Sequence, residues 1–503
     1  MTTKEQVVRR ELLFAEDGPY HEARIEESMR NLRGMGIFAL VRIVAVKTAD
    51  PNAVGVVVHT RDLWSLRLET DFKASTIFDT GSLVATERNF LGRNKALSVE
   101  FDYLPRNYTL SQSFVARRVW GSTVQFGETA GIIFNNRTRN SEGSIWGATL
   151  GEPFYNLKQR FSWASQFTYV DGIVRNLEQR NYVQVPRRLP SDEGPTANYV
   201  YRRQRGTGSI FGYLRFGEFF KQTWGAGWDY RSLRARANGE TMLVPALSEY
   251  FAQNVLPRQR TEVGPAIHYD ILMPEFVRFQ NLATFGQTEN VRVGPHATFT
   301  SRLPLRAFGS NTNSYVFSSN VGYVLAPGGF LLETRVSGQA RYEKQRSVDQ
   351  RLDALVRGAT PVLFGLFRFV SRVTWTARRY DTARTFVGLG ASDGLRGYTS
   401  NRINGTGASS LLANFELRTV PIAWQAVQVG GVLFYDTGTV YDALNELRMH
   451  HAVGIGLRVL FPQLNRTPFS LDAAGRLDPP FRLIPTVQAQ QVVPLTAAED
   501  PVN

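Results

Sequence analysis

The chain has 503 residues, of which 12% are aromatic and 43 are glycine, and its 58 lysines and arginines against 44 acidic residues give a net charge of +14. It has no cysteine, which excludes disulfides and thiolate metal sites, and it has no run of roughly eighteen apolar residues, which excludes a helical membrane protein. The arginines alternate with apolar residues in extended segments such as Arg368–Arg372 and form no single basic block, which disfavours nucleic-acid binding.

The first sixty or so residues differ in pattern from the rest and predict a small α+β module. One helix fits about Lys4–Leu13, and a second fits Glu22–Met35, where apolar residues recur on one face before glycines end the helix. Two strands follow at Ala39–Lys47 and Val54–Thr60, with the turn residues Asp50-Pro51-Asn52 between them.

Beyond this module the apolar residues follow a period of two. The alternation is clear at Leu63–Phe72, Ala96–Leu104, Tyr108–Val119 and Ser209–Phe216. Segments of about ten residues, joined by short turns on one side and longer loops on the other, are typical of a transmembrane β-barrel. A soluble β-sandwich or propeller is the alternative, because alternation is a weak signal in any one strand.

Three segments in the last quarter of the chain carry a recognisable motif. Leu395-Arg396-Gly397-Tyr398 comes first, Asn414-Phe415-Glu416-Leu417-Arg418 follows, and Phe434-Tyr435-Asp436-Thr437-Gly438 comes third. In this order and spacing they resemble the BamA and TamA superfamily of outer-membrane proteins. In that superfamily a hydrophobic residue, Arg, Gly and an aromatic residue form the tip of a loop folded back into the barrel, and a Phe-x-Asp-x-Gly strand motif comes after it.

The resemblance covers nearly the whole chain. Asp62–Leu66 is similar to the junction that leads into the first barrel strand, and Ala452–Arg458 is similar to a late strand. The N-terminal module resembles a periplasmic POTRA domain that lacks its first strand. The resemblance therefore implies a mostly β fold, with a POTRA-like α+β domain at 1–62, a transmembrane antiparallel β-barrel of about sixteen strands at 63–492 and a C-terminal tail at 493–503.

The chemistry of the motif predicts a buried salt bridge. A guanidinium inside a barrel is stable where carboxylates accept from its planar fork of donors, and Glu416 and Asp436 would supply two carboxylates from neighbouring strands. Gly394 and Gly397 would let the loop turn sharply beside the wall. The alternative places Arg396 in an ordinary surface turn.

The barrel closes only if its last strand, expected at about Phe481–Val492, pairs with the first near Leu66–Phe72. Proline donates no backbone hydrogen bond, so Pro485 predicts a short or interrupted pairing. The lateral gate proposed for the superfamily needs such a weak seam, because a client strand must add to an exposed edge; a displaced strand end is the alternative. The expected seam residues are Leu66, Leu68, Thr70, Leu483, Pro485 and Val487.

No enzyme active site, cofactor site or metal site is visible in the sequence. The six histidines are scattered, and none has a metal-binding spacing such as His-Glu-x-x-His. The adjacent His450 and His451 would point to opposite faces of a strand. The sequence therefore predicts a protein that is not an enzyme and has no cofactor.

The resemblance implies an assembly factor that receives unfolded outer-membrane protein clients and inserts them through the seam, with the N-terminal domain in the periplasm. The lipid bilayer is a partner, and periplasmic or lipoprotein accessory factors are candidate partners. A polypeptide translocase of the two-partner-secretion type is one alternative, although such barrels carry a plug helix that is not visible here, and a passive pore is another. The arginine-rich, cysteine-free composition favours a bacterial outer membrane over that of a mitochondrion or plastid.

Overall fold

The fold is given by a computed structural model of the chain. The structure describes residues 2–74, 78–154, 159–178, 181–186, 194–283, 285, 288–385, 387–390, 393–398, 403–405, 409–424, 427–443, 445, 447–461, 468–479, 481–488 and 493. None of the helices in these ranges is long and apolar enough to cross a bilayer.

The N-terminal module consists of two helices and a β-hairpin. Helix α1 spans Glu5–Arg9 and helix α2 spans Glu22–Gly34, and the antiparallel strands β1 and β2 span Phe38–Lys47 and Val54–Asp62. Their apolar faces form one core, in which Leu32 is fully buried. The elements occur in the predicted order, and α1 is shorter than predicted.

Contacts with the first turns of the large sheet explain the early end of α1. After Arg9 the backbone hydrogen bonds change to the tighter i to i−3 pattern, and the carboxylate of Glu11 lies 2.8 Å from Nη2 of Arg118. The amide of Lys4 donates to the carbonyl of Gly92 at 2.9 Å. Gly92 has φ +68, and a Cβ there would lie 2.4 Å from a carbonyl oxygen of the module, so this contact requires glycine.

The rest of the described chain is dominated by one large antiparallel sheet whose strands follow one another in chain order. It contains twenty-two strand segments. Two of them, Glu275–Gln280 and Ile422–Trp424, each pair with a single neighbour and are not counted as wall strands, so twenty strands make up the wall. Pairing of Lys73 with Gln488 and of Ala74 with Val487 joins the last strand to the first. The wall strands are β3 Leu66–Ala74, β4 Phe78–Glu87, β5 Lys95–Tyr103, β6 Asn107–Ala116, β7 Gln125–Asn135, β8 Ser141–Glu152, β9 Phe161–Arg175, β10 Val200–Phe216, β11 Lys221–Arg236, β12 Arg260–Leu272, β13 Thr288–Arg302, β14 Ser314–Leu325, β15 Leu331–Glu343, β16 Arg346–Ala359, β17 Phe367–Arg379, β18 Ser409–Thr419, β19 Val427–Tyr441, β20 His450–Leu460, β21 Phe469–Arg476 and β22 Arg482–Gln488.

The mostly β, antiparallel fold is confirmed, but twenty wall strands exceed the predicted number of about sixteen. The difference arises because several turns are very short. Strand β5 ends at Tyr103 and β6 begins at Asn107, and β15 ends at Glu343 and β16 begins at Arg346. Such hairpins use fewer residues than the sequence pattern suggests, and their weak alternation gives no separate signal for each strand.

Wall strands differ in length. Strands β10 and β11 have 17 and 16 residues, whereas β21 and β22, next to the junction of the last and first strands, have 8 and 7 described residues. Among the described residues, the shortest strands of the wall therefore lie beside that junction.

Side chains along the wall alternate between two environments. In β14 the exposed Tyr315, Phe317 and Tyr323 alternate with the buried Val316 and Val324. Most wall strands expose large apolar side chains in this way, and buried arginines and glutamates lie on the other face. The exposed apolar face is the one that lipid would cover, and the other face lines the interior, or lumen.

The sheet has two different ends. At the module end, where β3 begins, turns join neighbouring strands, and at the loop end the longest connections are 176–199, 237–259 and 380–408. The first two pack together around Phe251 of helix α3, Ser248–Asn254. Short strands in these loops pair Leu177–Glu178 with Asn181–Tyr182, Gln184–Val185 with Ala197–Asn198, and Val387–Leu389 with Ile403–Gly405. Single 3₁₀ turns lie at Phe90–Gly92, Val119–Gly121, Gly239–Thr241, Pro245–Leu247, Arg306–Phe308 and Pro327–Gly329.

Candidate functional site

The connection between β17 and β18 folds back against the interior wall and carries Arg396. Leu395, next to it, is fully buried and packs with Leu389 of the same loop and with Leu412 and Ala452 of the wall. Leu412 lies on the buried face of β18. The tip of this loop, residues 393–398, therefore lies inside the barrel.

The guanidinium of Arg396 is fully buried and touches three carboxylates. Its Nε and Nη2 donate to the two oxygens of Asp436 at 2.6 and 2.8 Å, in the bidentate geometry that a carboxylate accepts best. Its Nη1 lies 2.8 Å from Glu416 and 3.4 Å from Asp472. Its central carbon lies 3.5 Å from the ring centroid of Phe434, a cation–π contact.

Further arginines share these carboxylates. Arg418 Nη2 lies 2.6 Å from Glu416, and Arg458 Nη1 lies 2.6 Å from Asp472. We call Arg396, Arg418, Arg458, Glu416, Asp436 and Asp472 the charge cluster. Burial by itself would lower the pKa of Arg396, but Asp436 and Glu416 hold it above its ordinary value, so this loop residue stays charged.

Two glycines give the loop its close fit. Gly397 has φ +84, and a Cβ there would lie 3.0 Å from the Cβ of Ala452. A Cβ on Gly438 in β19 would lie 3.2 Å from the Cδ1 of Leu389. The motif glycines thus allow the loop to approach the wall at distances that most side chains would prevent.

Tyr398 binds the rim of the wall. Its hydroxyl donates to Asp478 at 2.5 Å and lies 3.2 Å from the carbonyl oxygen of His451, and His450 Nδ1 lies 2.6 Å from the same aspartate. Burial and the contact with Asp478 raise the pKa of Tyr398. Burial tends to raise the pKa of Asp478, but the hydrogen bonds from Tyr398 and His450 lower it overall.

The structure brings together every residue predicted around the loop motif, and it shows contacts of three residues for which the sequence predicted no role in the salt bridge. These are Asp472, Arg458 and Asn414, whose side-chain amide donates to the carbonyl of Gly394 and to Asp436, at 2.8 Å in both cases. The signal that could have identified Asp472 is its place among the alternating inward residues of β21.

The seam is arranged differently from the prediction. Leu66, Leu68 and Thr70 pair with β4 and, among the described residues, with no residue of the last strand. Among the described residues, Leu483 and Pro485 pair with β21, and Val487 pairs with β21 and with Ala74. The seam pairs described lie instead at Lys73 and Ala74.

The position of Val493, which follows β22, explains this arrangement of the seam. In the register that pairs Lys73 with Gln488, Leu68 would face residue 493. Val493, however, is fully buried in an apolar cluster with Leu331 and Val370, and its carbonyl accepts a hydrogen bond from Arg418 at 2.7 Å. Val493 has therefore left the register of the wall, and among the described residues Leu68 pairs only with β4.

The arrangement around Arg396 can act as an anchor. A guanidinium with bidentate and monodentate carboxylate contacts, stacked on an aromatic ring, fixes a loop tip with both distance and orientation defined. The contacts also tie strands β18, β19 and β21 to one side chain of the loop.

No protein-family profile matches the chain. Over 142 residues, 28% of this chain, it is 27% identical to the outer membrane protein assembly factor BamA of Neorickettsia risticii (strain Illinois), and the match spans 19% of that relative's length.

Similar solved structures include a BamA from Haemophilus ducreyi that lacks POTRA domains 1–3, with 13% identity, a TM-score of 0.45 and coverage of 97% of this chain and 81% of that chain. CdiB from Acinetobacter baumannii has 9% identity, a TM-score of 0.44 and coverage of 97% and 71%.

Proposed function

We propose that the chain inserts unfolded β-barrel clients into the outer membrane through its seam. Its motifs and its similarity to a BamA identify it as a member of the BamA and TamA superfamily of outer-membrane proteins. In this proposal residues 63–492 form the barrel, residues 1–62 form a POTRA-like domain in the periplasm, and 493–503 are a C-terminal tail. The lipid bilayer is its immediate partner.

The observation that carries the proposal is the seam-side edge of β3, where none of the described residues of the last strand pairs with Leu66 or Leu68. Backbone donors and acceptors at a strand edge pair readily with another extended chain. Leu66 and Leu68 are 45% and 60% exposed there, so the edge also offers apolar side chains to a client strand. A client strand could first add to β3 at this edge, and insertion would then require the seam pairs at Lys73 and Ala74 to open.

The anchored loop would keep the strands beside the seam in place while the seam opens. Strand β21, the neighbour of the last strand, carries Asp472, which contacts Arg396 and Arg458. The N-terminal module would also receive clients by addition of a strand to an edge, because β1 and β2 pair only with each other among the described residues.

A disulfide across the seam tests this function. In an antiparallel pair the Cα atoms are about 4.5–5.5 Å apart, within the range that a disulfide bridges. We would replace Ala74 and Val487 by cysteine, and in a matched control replace Leu457 and Leu471, which pair between β20 and β21 away from the seam. Because the chain has no native cysteine, each crosslink is unambiguous.

The readout is the rate at which an unfolded barrel client folds in liposomes that contain the protein, followed by heat-modifiable gel mobility. We expect the oxidised seam variant to lose the acceleration and to regain it on reduction, while the oxidised control stays active. Full activity with the seam locked would refute insertion through the seam. Equal ion conductance in the oxidised and reduced states, without any effect on clients, would favour the passive pore.

A further inference from the structure

We propose that a hairpin between β12 and β13, with Val493 packed beside it, is a built-in plug that closes the lumen at the module end. The hairpin, here the lumen hairpin, comprises Glu275–Gln280 and the part of β13 up to Val293. The proposal concerns closure of the barrel and does not depend on the function proposed above.

The lumen hairpin has left the wall. Residues 296–302 of β13 pair with β12 and residues 294–302 pair with β14, but residues 288–293 pair only with Glu275–Gln280. The change occurs at Gly294, whose φ of +91 is a conformation that favours glycine. The hairpin is thus a continuation of two wall strands that bends away from the sheet.

Its apolar face packs against the inside of the barrel. Phe279 and Leu282 are 5% and 2% exposed, and they form one cluster with Val324, Leu331 and Val370. Each of these three wall residues alternates with an outward neighbour that is exposed, namely Leu325, Leu332 and Phe369. Since the outward face is the apolar one that lipid would cover, the hairpin lies on the lumen side.

Polar contacts fix the turn of the hairpin. The buried guanidinium of Arg368 in β17 donates to the carbonyls of Gln280 and Asn281 at 3.2 and 2.6 Å. The carboxylate of Glu289 accepts from the amides of Leu282 and Ala283 at 3.0 Å. These bonds satisfy backbone groups that would otherwise lose their hydrogen bonds inside the lumen.

The hairpin reaches across the mouth of the barrel. Phe285, near its tip, is 8% exposed, and a Cβ on Gly430 would lie 3.2 Å from its Cζ. Gly430 belongs to β19, whereas the hairpin starts from β12 and β13. The element therefore crosses from one part of the wall to another and does not merely line its own strands.

Val493 completes the plug and connects it to the charge cluster. It is fully buried in the same apolar cluster as Phe279, and its carbonyl accepts from Arg418. Arg418 in turn contacts Glu416, and Glu416 contacts Arg396. One ionic network thus holds the loop from one end of the barrel and a residue of the plug from the other.

Single-channel conductance in planar bilayers tests the plug in the full-length protein. In the first variant, residues 274–294 are replaced by Asn-Gly, a sequence suited to a two-residue hairpin turn. The flanking strands are already adjacent, since Leu272 pairs with His296 and the Met273 amide donates to the Pro295 carbonyl at 3.3 Å. The wall should therefore close without the hairpin.

A second variant leaves the chain length unchanged. Phe279→Asp places a carboxylate in the apolar cluster, whereas Phe276→Asp, on the same strand but 60% exposed, serves as the matched control. Barrels with many strands enclose an aqueous channel unless something fills it, so we expect conductance to rise by roughly tenfold or more in the shortened variant and in Phe279→Asp. Phe276→Asp should conduct like the unaltered protein.

Folding of each variant is checked by heat-modifiable mobility. If the shortened variant fails to fold, the conductance of Phe279→Asp tests the plug. Conductance equal to that of the unaltered protein in a folded Phe279→Asp or shortened variant would overturn the plug. An equal rise in Phe276→Asp would also overturn it, because the increase would then come from general loosening of the hairpin.

Discussion

Replacing Arg396 by alanine tests whether the charge cluster holds the loop inside the barrel. The substitution removes the cation that contacts Glu416, Asp436 and Asp472 at a site without solvent exposure. Removing one partner of a buried ion pair costs about 3–5 kcal/mol, which is roughly a 150- to 4000-fold change in an equilibrium constant. Arg418 and Arg458 still neutralise two of the carboxylates, so we expect the lower end of this range.

The docked fraction of the loop can be measured by thiol labelling. Leu395 is fully buried beside Arg396, and the chain has no native cysteine, so Leu395→Cys supplies a single reporter. We expect a maleimide to label Leu395→Cys about 100-fold faster when Arg396→Ala is added, because undocking exposes the reporter. The labelling rate with Arg396→Lys should lie between the rates with Arg396 and with Arg396→Ala, since lysine keeps the charge but lacks the planar fork.

Two outcomes would refute this reasoning. Equal labelling rates with and without Arg396→Ala would show that the cluster does not hold the loop. An equal acceleration in Arg351→Ala would show that the effect is not specific, because Arg351 and Asp353 form an exposed pair of the kind that is worth at most about 1 kcal/mol.

Three further predictions concern other parts of the chain. Removal of residues 1–60 should leave a wall that still folds in detergent, because the module has its own apolar core, and loss of heat-modifiable mobility would contradict this. Gly397→Ala should increase labelling of the Leu395→Cys reporter by crowding the wall, whereas Gly328→Ala, also at positive φ but with nothing within 4 Å of its Cβ, should not; equal effects would assign the change to backbone strain. Because the pKa of Asp478 is lowered, its contact with Tyr398 stabilises the docked loop above the ordinary carboxyl pKa of about 3.9 and is lost as the pH falls below that value. The labelling rate of the reporter, divided by that of a free thiol at the same pH, should therefore be constant from neutral pH to about pH 4 and rise below it, and a rise that persists unchanged in Asp478→Asn would disprove the assignment.

In cells, Arg396→Ala should leave the barrel folded and lower the amount of assembled client proteins. The wall keeps its backbone hydrogen bonds, so heat-modifiable mobility of the protein itself should not change. Normal client levels in cells that carry only this variant would mean that the anchored loop has no part in the proposed insertion.

The site could be predicted from sequence where spacing carries the information. Arg396, Glu416 and Asp436 belong to a motif of fixed order, and alternation along a strand places Glu416 on the inward face. Asp472 lies outside that motif, and sequence alone does not say how far β21 is shifted along its neighbour. Its contact with Arg396 depends on register across the wall, which only the folded sheet defines.

The lumen hairpin and the residues that pair at the seam cannot be predicted from the sequence, for a related reason. Phe276–Phe279 alternates like any wall strand, so nothing in the pattern distinguishes a strand inside the barrel from one in its wall. The course of the chain at Val493 likewise depends on an apolar cluster made by residues far apart in sequence. Both features are decided by long-range packing and not by local periodicity.

Differences in strand length have a consequence for the membrane. A tilted barrel strand needs about 9–11 residues to cross a hydrocarbon core of about 30 Å, but β21 has 8 residues and the described part of β22 has 7. Strands β10 and β11, with 17 and 16, extend beyond such a core. A bilayer that follows the described strand lengths would be thinner beside β21 and β22 than beside β10 and β11. A polypeptide that left the barrel where the last strand meets the first would then cross a thinner layer of lipid than one that left beside the long strands.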